Sequence, residues 1–284
     1  MEEQTSKNLS VITGGAGGMG LAAARLMGRD HHILICDVNQ ARLDAAREEL
    51  IAAGITCDAE RCDITDRKSV EALVQTAASL GRVRSVIHTA GLSPQMADPG
   101  TIWKVNAVGT ININEAFYRL ADEGFAMVNV SSVSGHMLPG FLIPSRGYRL
   151  AHSDIGRFLK RMLFVTNFFP KKARTGVAYA LSKNFVSWYS KSIAGRFGSK
   201  GARVVAVSPG SFDTEMGRLE KETGSGELVN YSALKRFGKP EEVAELLAFC
   251  ASDKAGYLTG VDIPCDGGVL ACITPRDIRN MQSH

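Results

Sequence analysis

The 284-residue chain is 45% hydrophobic and 22% charged, proportions that exclude disorder, collagen-like repeats and a disulfide-dense miniprotein. The longest apolar runs, such as Val83–Ala90 and Leu246–Ala251, are too short to span a bilayer, and Met1–Lys7 has no apolar signal segment. The formal charge of +4 is uneven: Arg146–Arg174 holds eight Lys/Arg against one acid, Asp154, which is +7 there and −3 elsewhere. Six cysteines without a C-x-x-C pair offer neither zinc nor redox-motif spacing, so reduced thiols, no metal and a cytoplasmic location are expected.

Leu9–Thr13 reads as a short buried strand that runs into glycines, and Met19–Arg29 has helical character. His32–Cys36 is a second strand, followed by Gln40–Ala53 with Leu43, Ala46 and Leu50 on one helix face. Cys57–Cys62 reads as the third strand, and Asp66–Leu80 as a helix burying Val70, Leu73, Val74 and Ala77. Val83–Thr89, a long helix over Thr101–Glu123 and the strand Phe125–Ser131 come next. Gly176–Phe197 is helical, Arg203–Ser208 strand-like, Pro240–Ala251 a helix with proline in its first turn, and Leu258–Cys265 the last strand. Such alternation predicts an α/β fold: one doubly wound parallel sheet, helices on both faces, right-handed crossovers, one domain over residues 1–284.

The run Thr13-Gly14-Gly15-Ala16-Gly17-Gly18-Met19-Gly20 follows the first strand and opens the first helix. A dinucleotide pyrophosphate needs backbone amides at a helix N-terminus and no Cβ in its path. Glycine at 14, 18 and 20 meets that need, although a glycine-rich turn alone is equally a plain turn. Asp37 stands 19 residues after Gly18, just past the second strand, where a carboxylate would accept from ribose hydroxyls and repel a 2′-phosphate. No Lys or Arg occupies 38–41, which favours NAD(H) over NADP(H).

These residues resemble the short-chain dehydrogenase/reductases. Thr13–Gly20 is similar to their T-G-x-x-x-G-x-G turn, which includes Met19, and the resemblance implies a Rossmann-like sheet of order 3-2-1-4-5-6-7. Asp63-Ile64 matches the family's adenine-binding pair. His88-Thr89-Ala90-Gly91 stands where N-N-A-G is common, with only Ala90-Gly91 retained. The resemblance assigns Asn106 to a catalytic helix asparagine, Ser132 in Ser131-Ser132-Val133-Ser134-Gly135 to the catalytic serine, and Tyr179 with Lys183 to Y-x-x-x-K. Pro209-Gly210-Ser211-Phe212-Asp213-Thr214 resembles P-G-x-x-x-T, whose backbone and hydroxyl meet the nicotinamide carboxamide. Asp266-Gly267-Gly268 closes the pattern.

Tyr179 and Lys183 are four apart, one turn from each other on the same helix face. A free tyrosine has a pKa of about 10, too high for efficient proton exchange near neutrality. An adjacent ammonium and an oxidised nicotinamide favour the phenolate. Tyr179 then trades the proton with the carbonyl or hydroxyl oxygen and Ser132 hydrogen-bonds that oxygen. Lys183 also holds the nicotinamide ribose, Asn106 orders a proton-leading water chain, and the cofactor carries the hydride.

Ser132 and Tyr179 are 47 residues apart, far more than in most of the family. The surplus, about 136–175, contains an amphipathic helix at Ile155–Phe164 in which Phe158, Leu159, Met162 and Leu163 alternate with Arg157, Lys160 and Arg161. It reads foremost as a lid or subunit-contact helix, leaving membrane contact unexpected and nucleic acid excluded for want of a reading motif. A comparable insert, and Ala90-Gly91-Leu92-Ser93-Pro94-Gln95, resemble the 3α-hydroxysteroid dehydrogenase/carbonyl reductase branch, which implies a secondary alcohol or bulky ketone substrate and a homodimer or homotetramer. Gly210–Ser232 reads as a flap over substrate, with Gly224 and Gly226 as hinges. A 3-oxoacyl-thioester reductase and a non-catalytic NAD-binding relative remain the alternatives.

Overall fold

A computed structural model of the protein describes residues 8–222, 228–274 and 276–278. Met1–Lys7, Gly224 and Gly226, all drawn on above, lie outside the described residues. The apolar runs form strands β1 (Asn8–Thr13), β2 (His32–Asp37), β3 (Cys57–Arg61), β4 (Arg82–His88), β5 (Ala126–Val130), β6 (Arg203–Pro209) and β7 (Val261–Cys265). They make one sheet, ordered β3-β2-β1-β4-β5-β6-β7, and every pairing is parallel. Successive side chains point to opposite faces of such a sheet. Val11 therefore enters one core cluster and Ile12 the other.

Helices α1 (Gly18–Met27), α2 (Gln40–Ala52) and α3 (Arg67–Leu80) link the first four strands. Then come α4 (Pro99–Trp103), α5 (Thr110–Phe117), α6 (Ser145–Tyr148), α7 (Ile155–Asn167) and α8 (Arg174–Gly198). The chain ends with α9 (Glu215–Glu222), α10 (Leu228–Tyr231), α11 (Pro240–Ala251) and α12 (Val269–Cys272). Leu73, Ile111 and Phe185 from α3, α5 and α8 pack on one face; Ala23, Leu43 and Leu247 from α1, α2 and α11 pack on the other. Strand order reverses between β1 and β4, and crevices that hold ligands open at such switch points.

Two expectations are corrected. The single helix over Thr101–Glu123 is instead α4, a π-helical turn at Lys104–Gly109, α5 and a 3-10 turn at Tyr118–Leu120. Asp98 starts it two residues early, accepting from the amides of Gly100 and Thr101. The wide turn has a local cause, because Asn106 is pulled toward Leu92 by two hydrogen bonds. Gly109 lets the turn settle on Ile64, where a Cβ would lie 2.5 Å from its side chain. The last strand begins at Val261, three residues later than expected, because Gly260 bends the chain at φ +67°.

The surplus before Tyr179 folds onto the body through its own apolar stripe. Phe158, Met162 and Thr166 of α7 are buried, Thr166 accepts from the Trp103 indole at 3.0 Å, and Phe158 lies 4.7 Å from the Phe185 ring. Tyr148 donates to the Leu181 carbonyl at 2.9 Å. Phe141, Phe164 and Phe168 stay exposed, and the Arg161 guanidinium lies over the Phe164 ring.

Candidate active site

The glycine turn is shaped by contacts that only glycine allows. Gly14 and Gly18 have φ of +66° and +52°, in the left-handed region that penalises a Cβ. At Gly20 a Cβ would stand 2.4 Å from the Gly14 carbonyl oxygen, so the turn can close tightly on the start of α1. Gly20→Ala is expected to lower stability by about 1–3 kcal/mol and to abolish dinucleotide binding, as followed by thermal melting and a fluorescence titration. Unchanged dinucleotide affinity would show that the turn is only a turn.

Behind the turn lies a buried network that the retained motifs did not reveal. Thr110 donates its hydroxyl proton to the Asn106 carbonyl at 2.7 Å, so it accepts from Nε2–H of His88 at 3.0 Å. Nδ1 of His88 is then bare and accepts from the Thr13 hydroxyl at 2.7 Å. Burial, reinforced by the Lys183 charge, lowers the His88 pKa to about 3, which keeps the ring neutral. Thr89 donates to the Thr13 carbonyl at 2.7 Å. The two positions that depart from N-N-A-G thus brace β4 against the turn.

At the carboxyl end of β5 the paired serines divide. Ser131 donates to the Lys183 carbonyl at 2.6 Å and accepts from Ser187 at 2.9 Å, a role inside the packing. Ser132 caps a 3-10 turn, accepting from the Ser134 amide at 3.2 Å, and borders the cleft. Lys183 is 6% exposed; its Nζ donates to the Val130 carbonyl at 3.1 Å and lies 6.0 Å from the centre of the Tyr179 ring. A Cβ on Gly91 would be 3.2 Å from both Lys183 Nζ and Asn106 Oδ1, so this glycine admits the ammonium to the cleft.

Ser132, Tyr179 and Lys183 open onto a cavity of about 1720 Å³, above the ~300–1,000 Å³ usual for one small ligand. Every other residue anticipated for cofactor contact borders it too: Gly14, Gly18, Met19, Gly20, Asp37, Asp63, Ile64, Ala90, Gly91, Pro209, Gly210, Phe212 and Thr214. Asn106 is absent from the walls. Its side-chain amide is taken up by both backbone groups of Leu92 (2.8 and 3.0 Å) and by Ser182 (3.1 Å), which ties the wall beside Gly91 to α8.

Two features were missed. Arg42, in the first turn of α2, borders the cleft with Asp37, sits 2.7 Å from where a Gly17 Cβ would be and pairs with Glu215 at 2.9 Å. The reading of 38–41 stopped one residue short of it. His136, taken as the start of the surplus, pairs with Asp262 of β7 at 2.9 Å. Burial pushes the Asp262 carboxyl up, but hydrogen bonds, the one from His136 foremost and others including that from Ser208, outweigh it and hold the group below the ordinary carboxylate value. Nothing local marks a pair separated by 126 residues.

A nicotinamide dinucleotide fits this geometry. The cradle excludes Cβ atoms at Gly14 and Gly20, the α1 N-terminus faces it, and the Asp37 carboxylate, which accepts from the Asn39 amide at 3.1 Å, stands at the end of β2.

Comparison with known proteins points the same way. Residues 8–143 match the model of the short chain dehydrogenase family, and residues 166–270 that described as enoyl-(acyl carrier protein) reductase. The short-chain dehydrogenase/reductase bsc3 of Alternaria brassicicola is 31% identical, covering 92% of this chain and 95% of its own. The 3beta-hydroxysteroid dehydrogenase 2 of Eggerthella lenta is 28% identical over 91% and 93%. Among solved structures, a short chain dehydrogenase from Burkholderia cenocepacia in complex with NADP superposes with a TM-score of 0.74 at 22% identity, covering 94% of this chain and all of that one. The fold, the residues gathered at its switch point and a near full-length relative above 30% identity agree: the chain belongs to the short-chain dehydrogenase/reductase family, oxidoreductases acting on CH–OH groups.

Proposed function

We propose that the protein interconverts a secondary alcohol and its ketone with NAD(H). One observation carries this reading: Ser132, Tyr179 and Lys183, from β5's end and from one face of α8, border the same cleft as the glycine turn. Gly14, Gly18, Met19 and Gly20 would hold the pyrophosphate, Asp37 the adenosine ribose, and Asp63 and Ile64 the adenine. Ala90, Gly91, Pro209, Gly210, Phe212 and Thr214 would border the nicotinamide half. When bound, the dinucleotide supplies or takes the hydride.

The chain's own residues manage the proton. Tyr179 gives it to the carbonyl oxygen in reduction and removes it from the hydroxyl in oxidation. Lys183, held by the Val130 carbonyl, supplies the positive charge that favours the phenolate and would bind the nicotinamide ribose. Ser132 hydrogen-bonds the reacting oxygen as charge grows on it. Asn106 acts through the Leu92 backbone by fixing the wall beside Gly91.

Leu138, Phe141, Leu142, Phe169 and Val177 border the cleft on the side of the surplus segment, which favours a bulky, hydrophobic and steroid-like substrate. The 3beta-hydroxysteroid dehydrogenase among its relatives supports that choice. The second reading, a 3-oxoacyl-thioester reductase, draws on a 28% identical 3-oxoacyl-[acyl-carrier-protein] reductase of Thermotoga maritima. Assembly as a homodimer or homotetramer in the cytoplasm belongs to the same proposal.

Steroids, cyclic ketones, quinones and 3-oxoacyl thioesters tested for dinucleotide-dependent turnover separate these readings. Tight dinucleotide binding with no turnover on any of them would leave only the non-catalytic relative. Asp37 makes NAD the cofactor: its carboxylate opposes a 2′-phosphate, so NAD is expected to bind at least about tenfold more tightly than NADP. Asp37→Ala should close that gap, because Arg42 then faces the ribose unopposed. Equal wild-type affinities in a titration would show that Arg42 leaves Glu215 for the phosphate and outweighs Asp37.

A further inference from the structure

We propose that Cys36 and Cys62 form a redox-modifiable dithiol under the adenosine end of the cleft, closed to a disulfide by a peroxide and shielded by a bound dinucleotide. Cys36 is the penultimate residue of β2, and Cys62 directly follows β3. The ladder pairs Cys36 with Glu60 and Asp37 with Arg61. Cys62, two positions beyond Glu60, therefore faces the same side of the sheet as Cys36. Both side chains belong to the same core cluster on that face. They are 1% and 2% exposed, yet both border the cleft. Each is followed by a carboxylate of that end, Asp37 or Asp63. Among the described residues no group of three or more His, Cys, Asp and Glu could hold a metal, so metal binding does not explain the pair.

The environment divides the roles. A hydrogen bond from Cys36 and a second from Ser69 outweigh burial and lower the Cys62 pKa, whereas the bond to Cys62 and burial raise that of Cys36. Cys62 is the nucleophile. Its thiolate attacks one oxygen of hydrogen peroxide; the O–O bond breaks, leaving a sulfenic acid and a hydroxide that is protonated to water. The Cys36 sulfur then attacks the sulfenyl sulfur as its proton leaves, the S–O bond breaks and a second water departs. Two thiols have passed two electrons to one peroxide.

Diagonal neighbours on adjacent strands have Cα atoms about 7–8 Å apart, too far for a bridge without movement of the backbone. Cys62 lies past the last ladder pair and is tied there by its amide to the Asp37 carbonyl at 2.9 Å. Closing the bridge must draw this strand end inward and shift Asp63 with it. A bridge made under such strain is readily reduced again, which makes the change reversible. Its effect on cofactor affinity rests on the proposed dinucleotide site, while formation of the bridge does not.

The test treats the full chain with hydrogen peroxide, with and without saturating NAD, and maps non-reduced peptides by mass spectrometry. A Cys36–Cys62 cross-link is expected, suppressed by NAD and reversed by dithiothreitol. Loss of the charge-assisted ribose contacts should weaken NAD binding by about ten- to a hundredfold. Cys36→Ser and Cys62→Ser, near-isosteric changes checked for folding by circular dichroism, should form no cross-link and bind NAD equally before and after peroxide. Sulfinic acid at Cys62 without a cross-link would overturn the proposal. So would a loss of NAD binding that persists in Cys62→Ser, because another thiol such as the exposed Cys272 would then be responsible. A cross-link in a chain that never binds NAD would instead refute the dinucleotide reading and leave the dithiol standing.

Discussion

Tyr179→Phe is expected to lower turnover by about a hundred- to ten-thousandfold, the usual worth of a positioned proton donor. The substitution removes one hydroxyl and keeps the ring that borders the cleft beside Ala180 and Lys183. Dinucleotide affinity, followed by fluorescence titration, should therefore fall far less than turnover. The loss belongs to kcat, because the phenol acts on charge that develops only as the reaction proceeds. Initial rates with any substrate from the panel decide it. A variant that keeps rates within a few fold of wild type would mean that the proton comes from elsewhere, and the role given to the tyrosine–lysine pair would fail with it.

The second large effect is on stability against acid. His88 is 1% exposed and protonates in the folded chain only at about pH 3, whereas an unfolded histidine takes its proton near pH 6.5. Between those limits the unfolded state binds one more proton, so stability rises with pH across the window and is lost as pH falls. Each pH unit below about 6.5 costs about 1.4 kcal/mol, or about 3 kcal/mol near pH 4.5, a large share of the ~5–15 kcal/mol that keeps a domain folded. Urea unfolding from pH 7 to 4.5 should show this slope. His88→Asn lacks the titrating ring, and its proton uptake on unfolding should be lower by about one. An identical slope in the variant would assign the acid limb to other groups. Partly buried His31 and His152, whose pKa values burial also lowers, are the first of these.

His88 also shows where motif reading stops. The replacement of an expected asparagine at the end of β4 was visible in the sequence as a departure, but not its consequence. Thr13 and Thr110, which hold the ring, come from β1 and α5, and their approach depends on strand order and on the π turn beside Asn106. The π turn was equally hidden. Apolar spacing over Thr101–Glu123 carries a helical period and no record of Asn106 being drawn to Leu92. Arg42 was hidden for a different reason: whether a long side chain in the first turn of α2 reaches the cleft depends on how α2 lies against Gly17.

The local grammar of the chain determined most of what makes this an oxidoreductase fold. Alternation of short apolar runs with helical spacing dictates a doubly wound parallel sheet, since parallel strands need crossovers and both faces need cover. Glycine at 14, 18 and 20, a carboxylate after the second strand and a phenol one helical turn from an amine are each legible because backbone geometry ties spacing to direction over a few residues. Contacts across strands and between distant segments were left to the tertiary structure. His136 against Asp262, Arg42 against Glu215, Cys36 beside Cys62 and the inward face of α7 against Trp103 all depend on register and packing. Those are properties of the assembled sheet, in which residues far apart in the chain become neighbours.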